Sequence, residues 1–221
     1  MRIVAISDTH QQHNQITVPD GDILVHAGDW TNQGTLSAMR QFLEWFSAQP
    51  HPLKVFIPGN HEITLEAVNK KSAFDLIGEY TNDKMHFLLN SSANIAGLRW
   101  FGAPSTPFYG GWAFNFQRGP DIAAEWAKIP DDVEVLITHG PPYGIQDLVE
   151  DNWENVGRDL HQGCEDLRAR IKSLKNLKLH IYGHLHFGYG IQVIDNIQFV
   201  NAAICTEKYQ PTNKPIVIDL E

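Results

Sequence analysis

The sequence predicts an α/β domain in which mixed β-sheets are covered by helices. Three observations carry this expectation. In the first half, short β-branched runs alternate with segments of helical spacing, and the crossovers are long enough for parallel pairing. In the last third, apolar runs follow one another at hairpin-like separations. Five of the runs stop at Asp, Asn or His beside Gly or Pro, so the polar chemistry gathers where strands end. No internal repeat, low-complexity tract or linker-like change of composition interrupts the chain, and one domain is expected over residues 1–221.

In order, Arg2 to Ser7 alternates well enough for a strand and breaks at Ser7-Asp8-Thr9-His10. It reads as a first strand, being too short an apolar run for a signal peptide. Asp22 to Ala27 is a second strand, closed by Gly28-Asp29. Thr35 to Ala48 places Leu36, Met39, Phe42, Leu43 and Phe46 at helical spacing, and Pro50 and Pro52 end the segment. Leu53 to Ile57 is a third strand, closed by Pro58-Gly59-Asn60-His61, and Thr64 to Tyr80 is read as a less regular helix. Short apolar pieces from Met85 to Gly102 suggest a meander, and the glycine-, proline- and aromatic-rich stretch from Ala103 to Gly119 a loop. Pro120 to Lys128 opens with proline, which suits a helix start. Val133 to Thr138 is a strand running into His139-Gly140-Pro141-Pro142, and Gly163 to Leu174 is helical. Lys178 to Tyr182 is a strand that delivers Gly183-His184-Leu185-His186. Three strands, Gly190 to Ile194, Ile197 to Ala202 and Pro215 to Leu220, complete the chain.

Composition narrows the function. A formal net charge of -9 disfavours a large nucleic-acid groove, because such binding rests on Lys and Arg neutralising phosphates. No apolar run approaches the roughly 18 residues of a membrane span, so no membrane partner is expected. Cys164 and Cys205 make no disulfide framework and point to a reducing, cytoplasmic compartment. A homo-oligomer is left open.

The five strand-end stretches are Asp8-Thr9-His10, Gly28-Asp29, Gly59-Asn60-His61-Glu62, Thr138-His139-Gly140 and Gly183-His184-Leu185-His186. Each is weak alone. Together they offer imidazole and oxygen donors at one kind of place, which is metal-binding chemistry. In this order they resemble the calcineurin-like metallophosphoesterases. A closer likeness, to the metallophosphoesterase-domain-containing proteins of brain type, lies in Gly102-Ala103-Pro104-Ser105-Thr106-Pro107, Gly111-Trp112-Ala113-Phe114-Asn115, Thr138 to Pro142, Gly188-Tyr189-Gly190 and Gln210-Pro211-Thr212-Asn213.

The resemblance implies a four-layer α/β/β/α sandwich with two mixed β-sheets and a pair of divalent ions. Asp8, His10, Asp29 and His186 are then expected to hold one ion, and Asp29, Asn60, His139 and His184 the other, with Asp29 bridging. The donor set suits Mn, Fe, Zn, Co or Ni. The expected reaction is attack of a metal-activated water on a small phosphoester, with His61 protonating the leaving oxygen or stabilising its developing charge. In the phosphoprotein phosphatases an Asp and an Arg follow the bridging aspartate. Here Asn32 and Gln33 stand at those places. Loss of that arginine favours a diester over a doubly charged monoester, and cyclic nucleotides are the leading substrate class. A broad phosphomonoesterase and a catalytically weak metal-binding scaffold are the rival readings.

Other candidates have alternative readings. Arg118 is either a partial replacement for the missing arginine or a surface residue. His13 is either a pocket residue or a solvated loop histidine. The aromatics from Phe108 to Phe116 stack a nucleobase, close over the domain as a hydrophobic lid, or form a dimer contact. Glu62 is read as a helix-start carboxylate, with support of His61 as the alternative. His26 is read as a core histidine.

Overall fold

The computed structural model describes residues 1–68, 70–149 and 159–220. Its first sheet takes β1 (Arg2–Ile6), β2 (Ile23–His26), β3 (Leu53–Phe56), β4 (Met85–Phe87) and the late strand β13 (Ile216–Asp219) in the order β13-β1-β2-β3-β4. Only β13 runs antiparallel to its neighbour. The second sheet has the order β11-β12-β10-β9-β6-β5. It is built from β5 (Ser91–Ile95), β6 (Leu98–Ala103), β9 (Val135–Thr138), β10 (Leu179–Tyr182), β11 (Gly190–Ile194) and β12 (Ile197–Asn201). Its two edges are antiparallel hairpins, and β6, β9, β10 and β12 between them are parallel.

Strand alternation divides the hydrophobic residues among three cores. Ile3 and Ala5 of β1, with Val25 and Val55, face Trp100, Val135, Ile137 and Ile181 of the other sheet. Val4, Ile6, Leu24 and Phe56 point outward and are covered by α1 (Leu36–Ser47) and α2 (Lys71–Tyr80). On the far side, Phe101, Leu136 and Phe199 are covered by Ile122 and Trp126 of α3 (Pro120–Trp126) and by Leu167 and Ile171 of α4 (Glu165–Ser173). The result is the α/β/β/α sandwich. In α1 the spacing read from the sequence buries Met39, Phe42, Leu43 and Phe46, each worth about 1.5–3 kcal/mol relative to exposure. Thr35 caps it, its side chain accepting the Ala38 N–H at 3.3 Å.

Three local expectations change. The helix read over Thr64 to Tyr80 is confined to α2, and Ile63–Leu65 forms a 3-10 turn instead. Side chains on either side of that turn serve distant partners, Glu62 the Asp29 loop and Glu66 the Phe114 N–H, which pins the backbone in a non-helical course. The Met85 to Gly102 meander is split: β4 pairs with β3 in the first sheet, whereas β5 and β6 form a hairpin in the second. The Ala103 to Gly119 loop contains a short parallel pair, β7 (Thr106–Pro107) with β8 (Asn115–Phe116). Asn115 ties it by donating to the Thr106 hydroxyl at 2.8 Å.

Both sheets present the C-terminal ends of their parallel strands to one edge, and Ser7 after β1 bridges to Ala203 after β12 there. Open α/β sheets bind ligands in the crevice beyond the carboxyl ends of their strands.

Candidate metal centre

Five strand ends meet at this edge. β1 delivers Asp8 and His10, β2 delivers Asp29, β3 delivers Asn60 and His61, β9 delivers His139, and β10 delivers His184 and His186. Their side chains fall into three overlapping groups: Asp8, His10 and His186; His10, Asp29 and His61; and Asp29, His139 and His184. Within each group the ligand atoms lie within 4.8 Å of one another. Asp29 belongs to two of them. Its Oδ2 lies 3.2 Å from His139 Nε2, 3.8 Å from His61 Nε2 and 3.9 Å from His10 Nε2. Asn60 joins through Oδ1, 2.9 Å from His139 Nε2.

The backbone is bent to achieve this convergence. Asp8, His10, Asp29 and His184 all have φ between 42° and 66°, the left-handed region that non-glycine residues rarely adopt. The loops brace one another across the sheets. The Asp8 carboxylate accepts the His184 N–H at 3.0 Å, and the Asp29 carboxylate accepts the His61 N–H at 2.9 Å. Glycines let them approach: a Cβ at Gly28 would lie 2.5 Å from His139 Nδ1, and one at Gly183 would overlap the Asp8 carboxylate.

Second hydrogen bonds orient three of the imidazoles. The Nδ1–H of His139 donates to the Ala27 carbonyl at 2.9 Å, that of His186 to Thr206 at 2.9 Å, and that of His61 to Asn32 at 2.7 Å. Each leaves Nε2 facing the cluster, the arrangement that fixes the tautomer of metal-ligating histidines.

The charges are complementary. Burial pushes the Asp8 carboxyl up, but His186 by hydrogen bond and charge, with His139, outweighs it and holds it well below the usual carboxylate range. Asp29 is likewise held low, chiefly by His139 against the effect of burial. Burial would lower His139, yet Asp29 and Asp8 raise it to about 9. Burial dominates at His10 and His184, which fall to about 4 and about 3 and so offer neutral nitrogens at physiological pH.

The donor set fits a pair of divalent ions. Two buried carboxylates, a carboxamide oxygen and four imidazoles converge, and both ring nitrogens of the buried His10 lack a hydrogen-bond partner among the described residues. A buried imidazole without partners is costly unless something else occupies its lone pair.

Eight of the residues singled out from the sequence are thus brought together: Asp8, His10, Asp29, Asn60, His61, His139, His184 and His186. Two are not. His13 turns into the layer of α1, its ring 5.0 Å from Trp45 and 5.9 Å from Phe42, and burial lowers its pKa to about 4. The neighbouring aromatic surface takes it away from the pocket. The Arg118 guanidinium donates to the carbonyls of Gly163 (2.7 Å) and Gln162 (3.0 Å) and pairs with Glu165, the first residue of α4, so both terminal nitrogens are engaged there. It belongs to that surface corner. His26 is a buried core histidine, 3.0 Å from the Thr9 hydroxyl.

The comparisons with known proteins agree with this geometry. The family model "Calcineurin-like phosphoesterase" matches residues 1–188. Human metallophosphoesterase domain-containing protein 1 is 37% identical over 239 residues, covering 99% of this chain and 71% of that protein. The chain belongs to the calcineurin-like phosphoesterase family. A Caenorhabditis elegans UPF0046 protein is 33% identical over 240 residues, covering 100% of this chain and 81% of its own. More distant is a Nostoc protein named 3',5'-cyclic-nucleotide phosphodiesterase, 20% identical over 92% of this chain and 70% of its own. A solved crystal structure superposes with a TM-score of 0.63 at 19% identity, over 90% of this chain and 89% of the other, and supports the fold.

Two contributors to this candidate site escaped the sequence reading, and a third, Glu62, has another role than the one read. Glu62 stands at the start of the Ile63–Leu65 turn, but its side chain does not cap that turn and is fully buried beneath the Asp29 loop, where it accepts the Asp29 and Gly59 N–H groups. Its only linear signal is its place three residues after Gly59, in reach of that N–H. The backbone carbonyl of Asn32, not its side chain, orients His61. Tyr209 flanks the cluster, its ring 4.8 Å from that of His10 and 5.5 Å from that of His186. A carbonyl and a distant aromatic leave no pattern in a sequence.

Proposed function

We propose that this phosphoesterase is a two-metal hydrolase of small phosphodiesters, with cyclic nucleotides the leading substrate class. The observation that carries the reading is the sharing of Asp29: its carboxylate belongs both with His139 and His184 and with His10, while His10 also belongs with Asp8 and His186. One carboxylate between two imidazole-rich groups is the arrangement a bridged ion pair needs.

In this reading Asp8, His10, Asp29 and His186 hold one ion, and Asp29, Asn60, His139 and His184 the other. The ions are drawn from Mn, Fe, Zn, Co or Ni. Such a pair, when bound, supplies charge neutralisation at phosphate oxygens and an acidified water. The chain's own residues do the rest. The orientation given by Ala27 and Thr206 to His139 and His186 keeps the ligand nitrogens in place without reorganisation. His61 keeps Nδ1–H on Asn32, so a proton carried at Nε2 is directed to the leaving oxygen.

Two features favour the diester. Asn32 and Gln33 provide no charged fork at the substrate side, and Arg118 is engaged elsewhere. Among the described residues Asp8 and Asp29 pair only with histidines. Without a fixed guanidinium, the singly charged phosphate is the better match. The name of the Nostoc relative adds support for cyclic nucleotides. The free, buried Cys164 and Cys205 suit a reducing, cytoplasmic setting.

A panel of bis-nitrophenyl phosphate, nitrophenyl phosphate and cyclic nucleotides, run on protein of defined metal content, tests the proposal. Diester turnover above monoester turnover is expected. A strong monoester preference refutes the diesterase reading, and a fully loaded protein that turns over no phosphoester refutes the enzyme.

A further inference from the structure

We infer that Trp112, in the aromatic loop between β7 and β8, is a positioning residue that fixes the imidazole plane of His61. The inference rests on the acid role given to His61 above and extends it to a residue that offers no metal-ligating or acid–base group of its own.

The indole of Trp112 stacks on the His61 ring, with centroids 4.1 Å apart and planes inclined by 29°. Besides the backbone N–H bond to Asp29, His61 makes one side-chain hydrogen bond among the described residues, from Nδ1–H to the Asn32 carbonyl, and its Nε2 stands 3.8 Å from the Asp29 carboxylate. The one short bond sets the tautomer, and a contact of 3.8 Å at Nε2 is too long for a hydrogen bond that would fix the ring plane. His10 meets the imidazole edge-on at 4.8 Å and 83°, but His10 is itself a ligand residue with no second hydrogen bond of its own. The flat face of Trp112 therefore supplies the missing constraint. It also covers the imidazole, whose side chain is only 12% exposed.

Trp112 is anchored to the stretch it braces. The next residue, Ala113, donates its N–H to the Asn60 carbonyl at 3.2 Å, and Phe114 donates to the Glu66 carboxylate at 2.8 Å. Phe114 itself is buried in the core under α1 and α2. Gly110 and Gly111, with φ of 64° and 73°, let the loop turn so that the indole lies back over His61. The face of Trp112 that meets His61 is thereby taken from nucleobase stacking and serves the protein's own imidazole.

Removal of the indole should act through His61 and nowhere else. The test uses metal-loaded wild type, Trp112→Ala, Trp112→Phe, His61→Ala and the Trp112→Ala/His61→Ala pair. The substrates are two methyl aryl phosphodiesters of equal charge, one releasing 4-nitrophenolate and the other the more basic phenolate. Loss of a well-placed acid is felt most by the poorer leaving group, so Trp112→Ala should lower kcat on the phenyl ester by about tenfold and on the nitrophenyl ester by less than about threefold, with KM kept. Trp112→Phe retains a stacking face and should recover most of the loss. On the His61→Ala background Trp112→Ala should add nothing, because the two act as one unit. A rise in KM with kcat unchanged would make Trp112 a substrate contact. Losses that multiply with those of His61→Ala would make it independent of His61. Either result overturns the proposal.

Nuclear magnetic resonance of the metal-free protein gives a readout that needs no turnover. The His61 ring protons should lose the indole ring-current shift in Trp112→Ala, and the Nδ1–H tautomer should give way to a mixture. Unchanged His61 signals overturn the positioning role whatever the activity shows. If His61→Ala itself leaves both esters untouched, the acid role of His61 fails, and the inference about catalysis through Trp112 falls with it.

Discussion

Glu62 accepts the backbone N–H of Asp29 on its carboxylate at 3.0 Å, with no solvent reaching either residue's contact. The same oxygen takes the Gly59 N–H at 2.7 Å, and the other takes the N–H and hydroxyl of Thr31 at 2.9 and 2.8 Å. One carboxylate thus ties the loop after β2 to the loop after β3, and with them the shared ligand Asp29 to Asn60 and His61. Burial and the charge of Asp29 push the Glu62 pKa up, while the hydrogen bonds from Gly59 and Thr31 pull it back toward the anion that these donors require. The clamp requires acceptors at both oxygens.

Glu62→Gln is nearly isosteric but turns an NH2 group toward donors. At least one buried N–H loses its acceptor, and the variant should be less stable by about 1–3 kcal/mol. Chemical denaturation of the metal-free protein measures this, and metal titration should show weakened binding. Unchanged stability and affinity would mean that the Asp29 loop is ordered without Glu62.

His61→Ala should lower turnover while metal content stays at the wild-type level, because His61 is braced by Asn32 and Trp112 at the rim of the cluster. General acid–base groups contribute about 10²–10⁴-fold, which sets the expected scale. Elemental analysis beside kinetics separates the two effects. A loss of bound metal would place His61 among the ligands.

His184 groups with Asp29 and His139, whereas His186 groups with Asp8 and His10. His184→Ala and His186→Ala are therefore expected to weaken binding of different ions. Titration of each variant with a spectroscopically visible ion such as Co²⁺ should give distinct residual spectra and half the wild-type stoichiometry. Identical residual sites would refute the division.

Metal binding should release protons. His139 is raised to about 9, burial being outweighed by Asp29 and Asp8, and His186 is raised by its hydrogen bond to Asp8 against burial. His139 carries a proton in the ion-free protein near neutral pH, and a ligand nitrogen must give its proton up. Calorimetry in buffers of different ionisation enthalpy should find about one proton or more released per protein at pH 7. Affinity should climb as pH rises toward 9. The ion-free protein behaves oppositely: the raised His139 contributes stability below its ordinary value of 6.5, and that contribution fades as pH passes about 9. No proton release would contradict the charged His139.

Gly183→Ala and Gly78→Ala should move stability in opposite directions. A methyl at Gly183 meets the Asp8 carboxylate and the Ser7 side chain, and such overpacking costs about 1–3 kcal/mol. At Gly78, within α2, a methyl meets nothing within 4 Å, and replacing a helical glycine should stabilise by about 0.5–1 kcal/mol. Thermal denaturation of the two variants decides.

Most of the strand framework was legible because its signals are local. The runs ending at Ser7, Ala27, Ile57, Thr138 and Tyr182 became β1, β2, β3, β9 and β10 to within a residue or two at each end. Helix α1 was visible from its spacing and from the prolines that end it. The first turn after Glu62 was misread as helix because the bonds that hold it come from Asp29, Thr31 and Phe114, far away in the chain. Likewise, nothing between Leu88 and Ser91 marks the point where the chain leaves one sheet for the other.

The sequence by itself determined which side chains can act as ligands and that each stands just past a strand, since residue type and hydrophobic period are properties of short segments. Only the tertiary structure decided which of them meet. His10 and His13 lie three residues apart, yet one enters the cluster and the other packs on Trp45, because the left-handed turn at His10 and Gln11 sends them to different layers. Arg118 was drawn to the first residues of α4, and Trp112 was laid on His61. These are contacts between segments distant in the chain, whose energies arise when the two sheets pack, and no local pattern encodes them.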